Sequence, residues 1–131
     1  MNAWLSDLLG KHRAVAGTVH VLRGELLEIA AAVNIPPKVV EVTAKIPFGK
    51  GMAGLSWQHD KAIQTCNLKE DASGAVKPGA KAVDARAAVA LPVHGASGVR
   101  AVVGLAWMDE RELTDAEVAA IARDAELLPQ S

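Results

Sequence analysis

Two long apolar segments, Ala87–Val93 and Val99–Trp107, are separated by only five residues, and they constrain the fold of this chain more than any other feature. Odd and even positions are both largely apolar along each segment, which is typical of strands covered on both faces of a sheet. The residues between them, His94–Gly98, have the glycine and serine content of a hairpin loop. We therefore expect an antiparallel hairpin in the middle of a sheet.

Shorter elements surround this hairpin. Apolar spacing predicts helices and strands over Asn2–Lys11 (helix), Ala14–Leu22 (strand), Glu25–Val33 (strand), Pro37–Val42 (helix), Met52–His59 (helix) and Ala62–Asn67 (strand). Gly49 and Gly51 allow backbone angles closed to other residues and predict a bend before the third of these helices. A last helix is expected after Thr114, because Glu117 lies three residues later and completes a capping box. These elements predict one α+β domain over residues 1–131.

Composition excludes several classes of function. The net charge is −1 and the pI is near 6.4, so we expect no surface for nucleic acid or an anionic membrane. The longest apolar run, Ile29–Val33, is too short to span a bilayer, and Met1–Trp4 lacks the order of a signal peptide. One cysteine, Cys66, excludes an internal disulfide, and the four histidines have no metal-ligand spacing. We expect a cytoplasmic protein without metal or other cofactor.

The order of motifs in this chain resembles that of GAF domains. Ile46–Gly54 is a glycine-punctuated turn that opens a helix, and it precedes a strand ending in Leu91-Pro92-Val93 and a second strand carrying Gly104-Leu105. The resemblance covers Ala14 to Leu127. It implies a central antiparallel sheet of five or six strands with the N- and C-terminal helices on one face. On the other face it implies a small-molecule pocket roofed by Met52–Ala82.

That resemblance also indicates which side chains would contact a ligand. The predicted contacts are the polar and aromatic groups near the roof and the strand ends: Trp57, Cys66, Asn67, Asp71, Arg86 and Trp107. The indoles would supply contact area and Arg86 would pair with an anionic group. Core packing is the alternative role for both tryptophans. The small and polar residues of Lys69–Ala82 predict a mobile loop over the pocket.

Ile46–Gly54 also resembles the corresponding segment of free methionine sulfoxide reductases, which raises the question of an enzymatic role. The cysteines of those enzymes correspond to Ala53 and Val83 here, and their substrate-contacting acidic residues correspond roughly to Ala88 and Trp107. Reduction of a sulfoxide needs a thiolate nucleophile and a resolving thiol, and Cys66 cannot supply both. We therefore predict that the chain is not an enzyme.

Two other roles of the family are disfavoured by particular residues. Attachment of a bilin pairs a cysteine with a neighbouring histidine, whereas Cys66 is followed by Asn67. The cyclic-nucleotide signature contains Asn-Lys before Asp-Glu, and Asp109-Glu110 follows Met108 without that pair. Neither ligand is expected.

Two functions from different classes remain open. The first is a sensory module that binds an unknown small molecule and acts through a signalling partner or through dimerisation. The second is a structural module whose pocket is filled by its own side chains and whose output is dimerisation, which the alanine-rich strand faces favour. Trp4, Leu5 and Leu8 form an apolar stripe on the first helix, so a homodimer is predicted in either case.

Overall fold

The computed structural model describes residues 1–65, 87–109 and 112–129. Its elements, in chain order, are α1 (Asn2–Lys11), β1 (Ala16–Arg23), β2 (Leu26–Val33), α2 (Pro37–Val42), β3 (Lys45–Pro47), α3 (Gly51–His59), β4 (Ile63–Thr65), β5 (Ala87–Gly95), β6 (Gly98–Trp107) and α4 (Asp115–Ala125). None of the helices described is long and apolar enough to cross a membrane.

The described strands form one antiparallel sheet in the order β3-β2-β1-β6-β5-β4. The predicted hairpin is β5–β6, and neither of its strands lies at an edge, as its two apolar faces indicated. The β1–β2 pairing contains a bulge between Val19 and His20, and the β5–β6 pairing contains one between Val93 and His94. Bulges change the direction of neighbouring side chains, and both of these lie beside a histidine.

Helices α1 and α4 pack on one face of the sheet, which we call the helix face. Strand alternation directs Val19, Val103 and Trp107 to this face, where they form the main core with Leu5 of α1 and Ile121 of α4. Burial of such side chains contributes about 1.5–3 kcal/mol each. This core therefore holds both terminal helices against the sheet, as predicted.

The apolar stripe of α1 lies inside this core. Leu5 is 0% exposed and Leu8 is 5% exposed, both within a single chain, and Trp4 packs against the same cluster. The prediction of a homodimer assumed that one sheet leaves this stripe uncovered. The structure corrects that assumption, because the approach of α1 to β1 and β2 covers Leu5 and Leu8.

The opposite face, which we call the cavity face, carries the second core cluster. Leu27, Ile46, Ala90 and Val102 are buried there, with Met52, Ala53 and Trp57 of α3 packed against them. The chain enters α3 through Gly49 and Gly51, which have φ angles of 76° and 66°. Only glycine adopts such angles without strain, so the bend predicted at these positions is confirmed.

Two features of this face differ from the prediction. The sequence indicated no strand between the second and third predicted helices, but Lys45–Pro47 forms β3 and pairs with Leu26–Glu28. Three residues are too few to show an alternation of apolar and polar positions. Helix α2 also covers part of the cavity face, so the roof is not formed by Met52–Ala82 alone. The predicted loop Lys69–Ala82 lies outside the described residues.

Candidate functional site

A cavity of about 140 Å³ lies between the cavity face of the sheet and helices α2 and α3. Its described lining comes from β1, β5 and β6 below and from the α2 and α3 segments above. The lining residues are Gly17, Thr18, His20, Ile35, Val39, Thr43, Ile46, Gly51, Met52, Ala53, Ala88, Val89, Ala90, Val102, Gly104, Leu105 and Ala106.

The cavity has room because the strands below it carry small residues. Gly104 of β6 pairs with Thr18 of β1 on one side and with Ala90 of β5 on the other. Ala88 pairs in the same way with Ala106. Larger side chains at these positions would fill the space beneath α2 and α3. The alanine-rich even positions of the two apolar segments thus form the floor of a cavity.

His20 is the principal polar group of this floor. It is 3% exposed, and its Nε2 lies 2.8 Å from the carbonyl oxygen of Thr43 at the end of α2. A carbonyl only accepts hydrogen bonds, so Nε2 carries the proton, and in the neutral ring Nδ1 is the acceptor. The bond satisfies a carbonyl that the helix end leaves without an intrahelical partner. His20 therefore holds the end of α2 over the cavity.

The described lining of the site carries no acidic side chain and no lysine or arginine. Thr18, His20 and Thr43 provide its polar side chains within the described ranges. Over the same ranges no group of three or more histidine, cysteine or acidic side chains could hold a metal ion. The arrangement can therefore enclose a small, largely apolar group and offer it a few hydrogen bonds.

The structure places the two predicted tryptophans on opposite faces. Trp57 is half-buried on α3, makes an edge-to-face contact with Phe48 at 4.8 Å between ring centroids, and packs beside residues that line the cavity. Trp107 is 2% exposed on the helix face, and its indole N–H donates to the carbonyl oxygen of His12 at 3.2 Å. This position corrects the place predicted for Trp107, because it alternates in phase with Val103 and Leu105 of the main core.

The remaining predicted contacts, Cys66, Asn67, Asp71 and Arg86, lie outside the described residues and stay predictions. The prediction did not include Thr18 and His20, although the sequence contained a signal for them. Both alternate with the apolar residues Val19 and Val21, so they share the face opposite the main core. The hydrogen bond from His20 to the carbonyl of Thr43 places the end of α2 over this face.

Comparison with known proteins supports the fold. No protein family model matches the sequence, and no curated protein matches it. The chain is similar to the structure of the type II free methionine-R-sulfoxide reductase from Thermoplasma acidophilum, with a TM-score of 0.77 and 16% identity over 97% of this chain and 85% of that one.

Two GAF domains are also similar, with slightly lower TM-scores. One belongs to a phosphoenolpyruvate-protein phosphotransferase from Coxiella burnetii (TM-score 0.74, 14% identity, 96% of this chain and 79% of that one). The other belongs to a two-component sensor histidine kinase from Bacillus halodurans (TM-score 0.72, 12% identity, 98% of this chain and 90% of that one). The chain thus has a GAF-like fold, as predicted. Identities this low show the fold and not the activity.

Proposed function

We propose that this chain is a small-molecule-binding regulatory module of GAF-like fold. Its ligand is neutral, compact and mostly apolar, with one or two hydrogen-bonding groups. The observation that carries the proposal is the cavity of about 140 Å³ on the cavity face, whose described lining is apolar except for Thr18, His20 and Thr43.

The volume limits the size of the ligand. Binding sites for drug-sized molecules usually measure about 300–1,000 Å³, whereas an apolar cavity of about 150 Å³ holds benzene. A cavity of about 140 Å³ therefore suits a group of similar size. A nucleotide is much larger, and its phosphate would need a cation that the described lining does not provide.

The charge of the lining limits the chemistry of the ligand. Burying an ionised group without a partner is costly, because the apolar surroundings do not replace its hydration. Free methionine sulfoxide carries an ammonium and a carboxylate at neutral pH. The positions that correspond to a reductase cysteine and to an acidic contact are Ala53 and Ala88, and both line the cavity here. These methyl groups support a binding role without reductase chemistry.

Matched probes test the proposal. The full chain, labelled with ¹⁵N, is titrated with benzene, phenol, benzoate and benzylammonium, which share one ring and differ in polarity and charge. We expect the neutral probes to shift the amide signals of Thr18, His20 and Gly104. The charged probes should bind at least about tenfold more weakly, because burial of their unpaired charge costs free energy. A cost of about 1.4 kcal/mol corresponds to a factor of ten in affinity.

Two leucine substitutions provide the control. Ala53→Leu adds three carbons to α3 at the cavity, and Ala119→Leu adds the same atoms at an exposed position of α4. Ala53→Leu should abolish binding of the neutral probes and Ala119→Leu should leave it unchanged. Equal binding of benzoate and benzene, or equal behaviour of the two variants, would contradict the proposal.

The output of the module is expected to pass to a partner, either a second copy of the chain or a separate signalling protein. Light scattering of the purified protein at roughly tens of micromolar, where a weak dimer is populated, measures the first alternative. A dimer mass supports self-association. A monomer mass in both the presence and the absence of a bound probe would favour a separate partner.

A further inference from the structure

The imidazole of His94 joins the two faces of the sheet. Its Nε2 lies 2.5 Å from Oδ1 of Asp60, and its Nδ1 lies 2.8 Å from Oε1 of Glu126. Asp60 directly follows α3 on the cavity face, and Glu126 directly follows α4 on the helix face. His94 lies near the end of β5, beside the bulge in the β5–β6 pairing.

This arrangement requires a protonated ring. A carboxylate accepts hydrogen bonds and does not donate them, so each ring nitrogen must carry a proton. A neutral imidazole has a single N–H, and its second nitrogen would then direct a lone pair at one of the two carboxylates. Loss of one proton from His94 therefore removes one of the two contacts.

The backbone holds both carboxylates beside the ring. Asp60 has a left-handed φ of 51°, and its N–H donates to the carbonyl of Ser56. The buried hydroxyl of Ser56 donates to the carbonyl of Lys61 at 2.9 Å, which fixes the turn on the other side of Asp60. Glu126 accepts a further hydrogen bond, at 3.2 Å, from the backbone N–H of His94.

Three cations of the described residues lie on the segments that carry or flank this cluster. Arg100 of β6 donates from Nε to the carbonyl oxygen of His94 at 3.3 Å and from a terminal nitrogen to the carbonyl of Leu128 at 2.7 Å. Lys61 follows Asp60 in the chain, and Arg123 precedes Glu126 by one turn of α4. A cation beside the ring opposes protonation, whereas the two carboxylates favour it.

The hydrogen bond to Asp60 makes the largest contribution to the pKa of His94 and raises it above its usual value, and the hydrogen bond to Glu126 raises it further. Burial lowers the pKa of His94 by less than these hydrogen bonds raise it. The contacts of a group whose pKa is raised by folding are complete below the unfolded pKa of about 6.5. They are lost as the pH rises through the raised pKa. The transition therefore lies above the unfolded pKa of about 6.5.

We propose that His94, Asp60 and Glu126 form a proton-dependent clasp that couples the roof helix α3 to the C-terminal helix α4. The clasp is closed when His94 is protonated and open when His94 is neutral. The three side chains are 40–57% exposed, so protons reach the clasp directly from solvent. Opening releases the end of α4 locally and does not unfold the sheet. The clasp does not depend on a ligand in the cavity.

The test follows His94 and the end of α4 in the same titration. Ring signals of the full chain give the pKa of His94, which should exceed its value in the urea-unfolded chain. Asp60→Asn and Glu126→Gln should each lower it. Hydrogen exchange of the amides of Leu127 and Leu128, corrected for intrinsic rates, should accelerate about twofold to fivefold as His94 loses its proton, the range expected for exposed ion pairs.

Two further variants complete the experiment. Glu41→Gln removes an exposed carboxylate on α2 and should change neither measurement. His94→Gln removes the titration, and its exchange should stay at the fast level throughout. An unshifted His94 pKa, or corrected exchange at Leu127 and Leu128 that does not follow the His94 titration, would overturn the proposal.

Discussion

Thr18 and Gly104 lie opposite each other in the β1–β6 pairing, and a Cβ built on Gly104 would come within 3.1 Å of the Thr18 hydroxyl oxygen. Both residues line the cavity. The missing side chain at position 104 thus keeps the middle of the floor open beside a hydroxyl group. The volume available for a ligand therefore depends on the glycine at position 104.

Substitution of Gly104 by alanine should therefore weaken binding of a neutral probe. The new methyl group would enter the cavity, and Thr18 would have to move by a few tenths of an ångström. We expect several-fold weaker binding of benzene in the NMR titration and little change in thermal unfolding. The matched control is Gly10→Ala, because a Cβ at this exposed helical position meets nothing within 4 Å. It should raise stability by up to about 1 kcal/mol and leave binding unchanged.

Gly17 should not tolerate the same change. A Cβ there would lie 2.7 Å from the carbonyl oxygen of Gly104 and 2.7 Å from Cδ2 of Leu9. The carbonyl belongs to a paired strand and cannot move freely, and relief of the contact with Leu9 would require that side chain or α1 to shift from the sheet. Gly17→Ala should lower the free energy of unfolding by about 1–3 kcal/mol, measured by urea denaturation. Stability equal to that of the unsubstituted chain would show that α1 packs less closely than described.

The two tryptophans should respond differently to substitution by phenylalanine. Trp107→Phe removes the N–H that binds the carbonyl of His12 and leaves a void in the main core, so it should cost about 1–3 kcal/mol. Trp57 is half-buried, and Trp57→Phe should cost less. A probe in the cavity should change the fluorescence of the native chain and change it much less in Trp57→Phe. An unchanged titration in both would count against Trp57 as a reporter of the cavity.

The difference between the predicted and observed positions of Trp107 has a physical reason. Strands β5 and β6 are apolar on both faces, which identified them as inner strands of the sheet. The same property leaves no alternation from which to decide which face Trp107 occupies. Polar residues on a strand are more informative, and Thr18 and His20 do mark the cavity face. The burial of His20 depends on α2, whose packing is a tertiary contact that apolar spacing does not describe.

For the last helix, residues close together in the sequence were sufficient to predict where the helix begins. Thr114 and Glu117 are three residues apart, and their capping box is observed at the start of α4. The contacts of His94 are different, because Asp60 and Glu126 lie 34 and 32 residues away from it in sequence. The position of His94 in the sequence therefore indicates no role, and only the folded sheet brings its ring to the two carboxylates.

Removal of the cap on α4 should lower stability. The side-chain oxygen of Thr114 accepts a hydrogen bond from the N–H of Glu117, and the Glu117 carboxylate accepts one from the N–H of Thr114, both at 3.1 Å. Thr114→Ala should cost about 1 kcal/mol in urea denaturation. Thr114→Ser retains the acceptor and should cost much less. Equal losses in the two variants would assign the effect to the methyl group and not to the cap.

The junction between α1 and α4 should make stability depend on acidic pH. Burial raises the pKa of Asp124, but the hydrogen bonds from Lys11 at 3.2 Å and His12 at 2.8 Å outweigh it, and the net pKa is lowered. The contribution of a group with a lowered pKa is complete above its unfolded value of about 3.9 and is lost as the pH falls through the folded value.

Asp124→Asn should therefore be less stable than the native chain at pH 6, by about 1 kcal/mol, and the difference should shrink steadily as the pH falls below about 4. Urea denaturation at several pH values measures it. Asp7→Asn is the control, since Asp7 is an exposed carboxylate of α1. Its difference from the native chain should stay small throughout. A difference for Asp124→Asn that stays constant down to pH 2.5, about one and a half units below the unfolded pKa, would show that the carboxylate does not act through its charge.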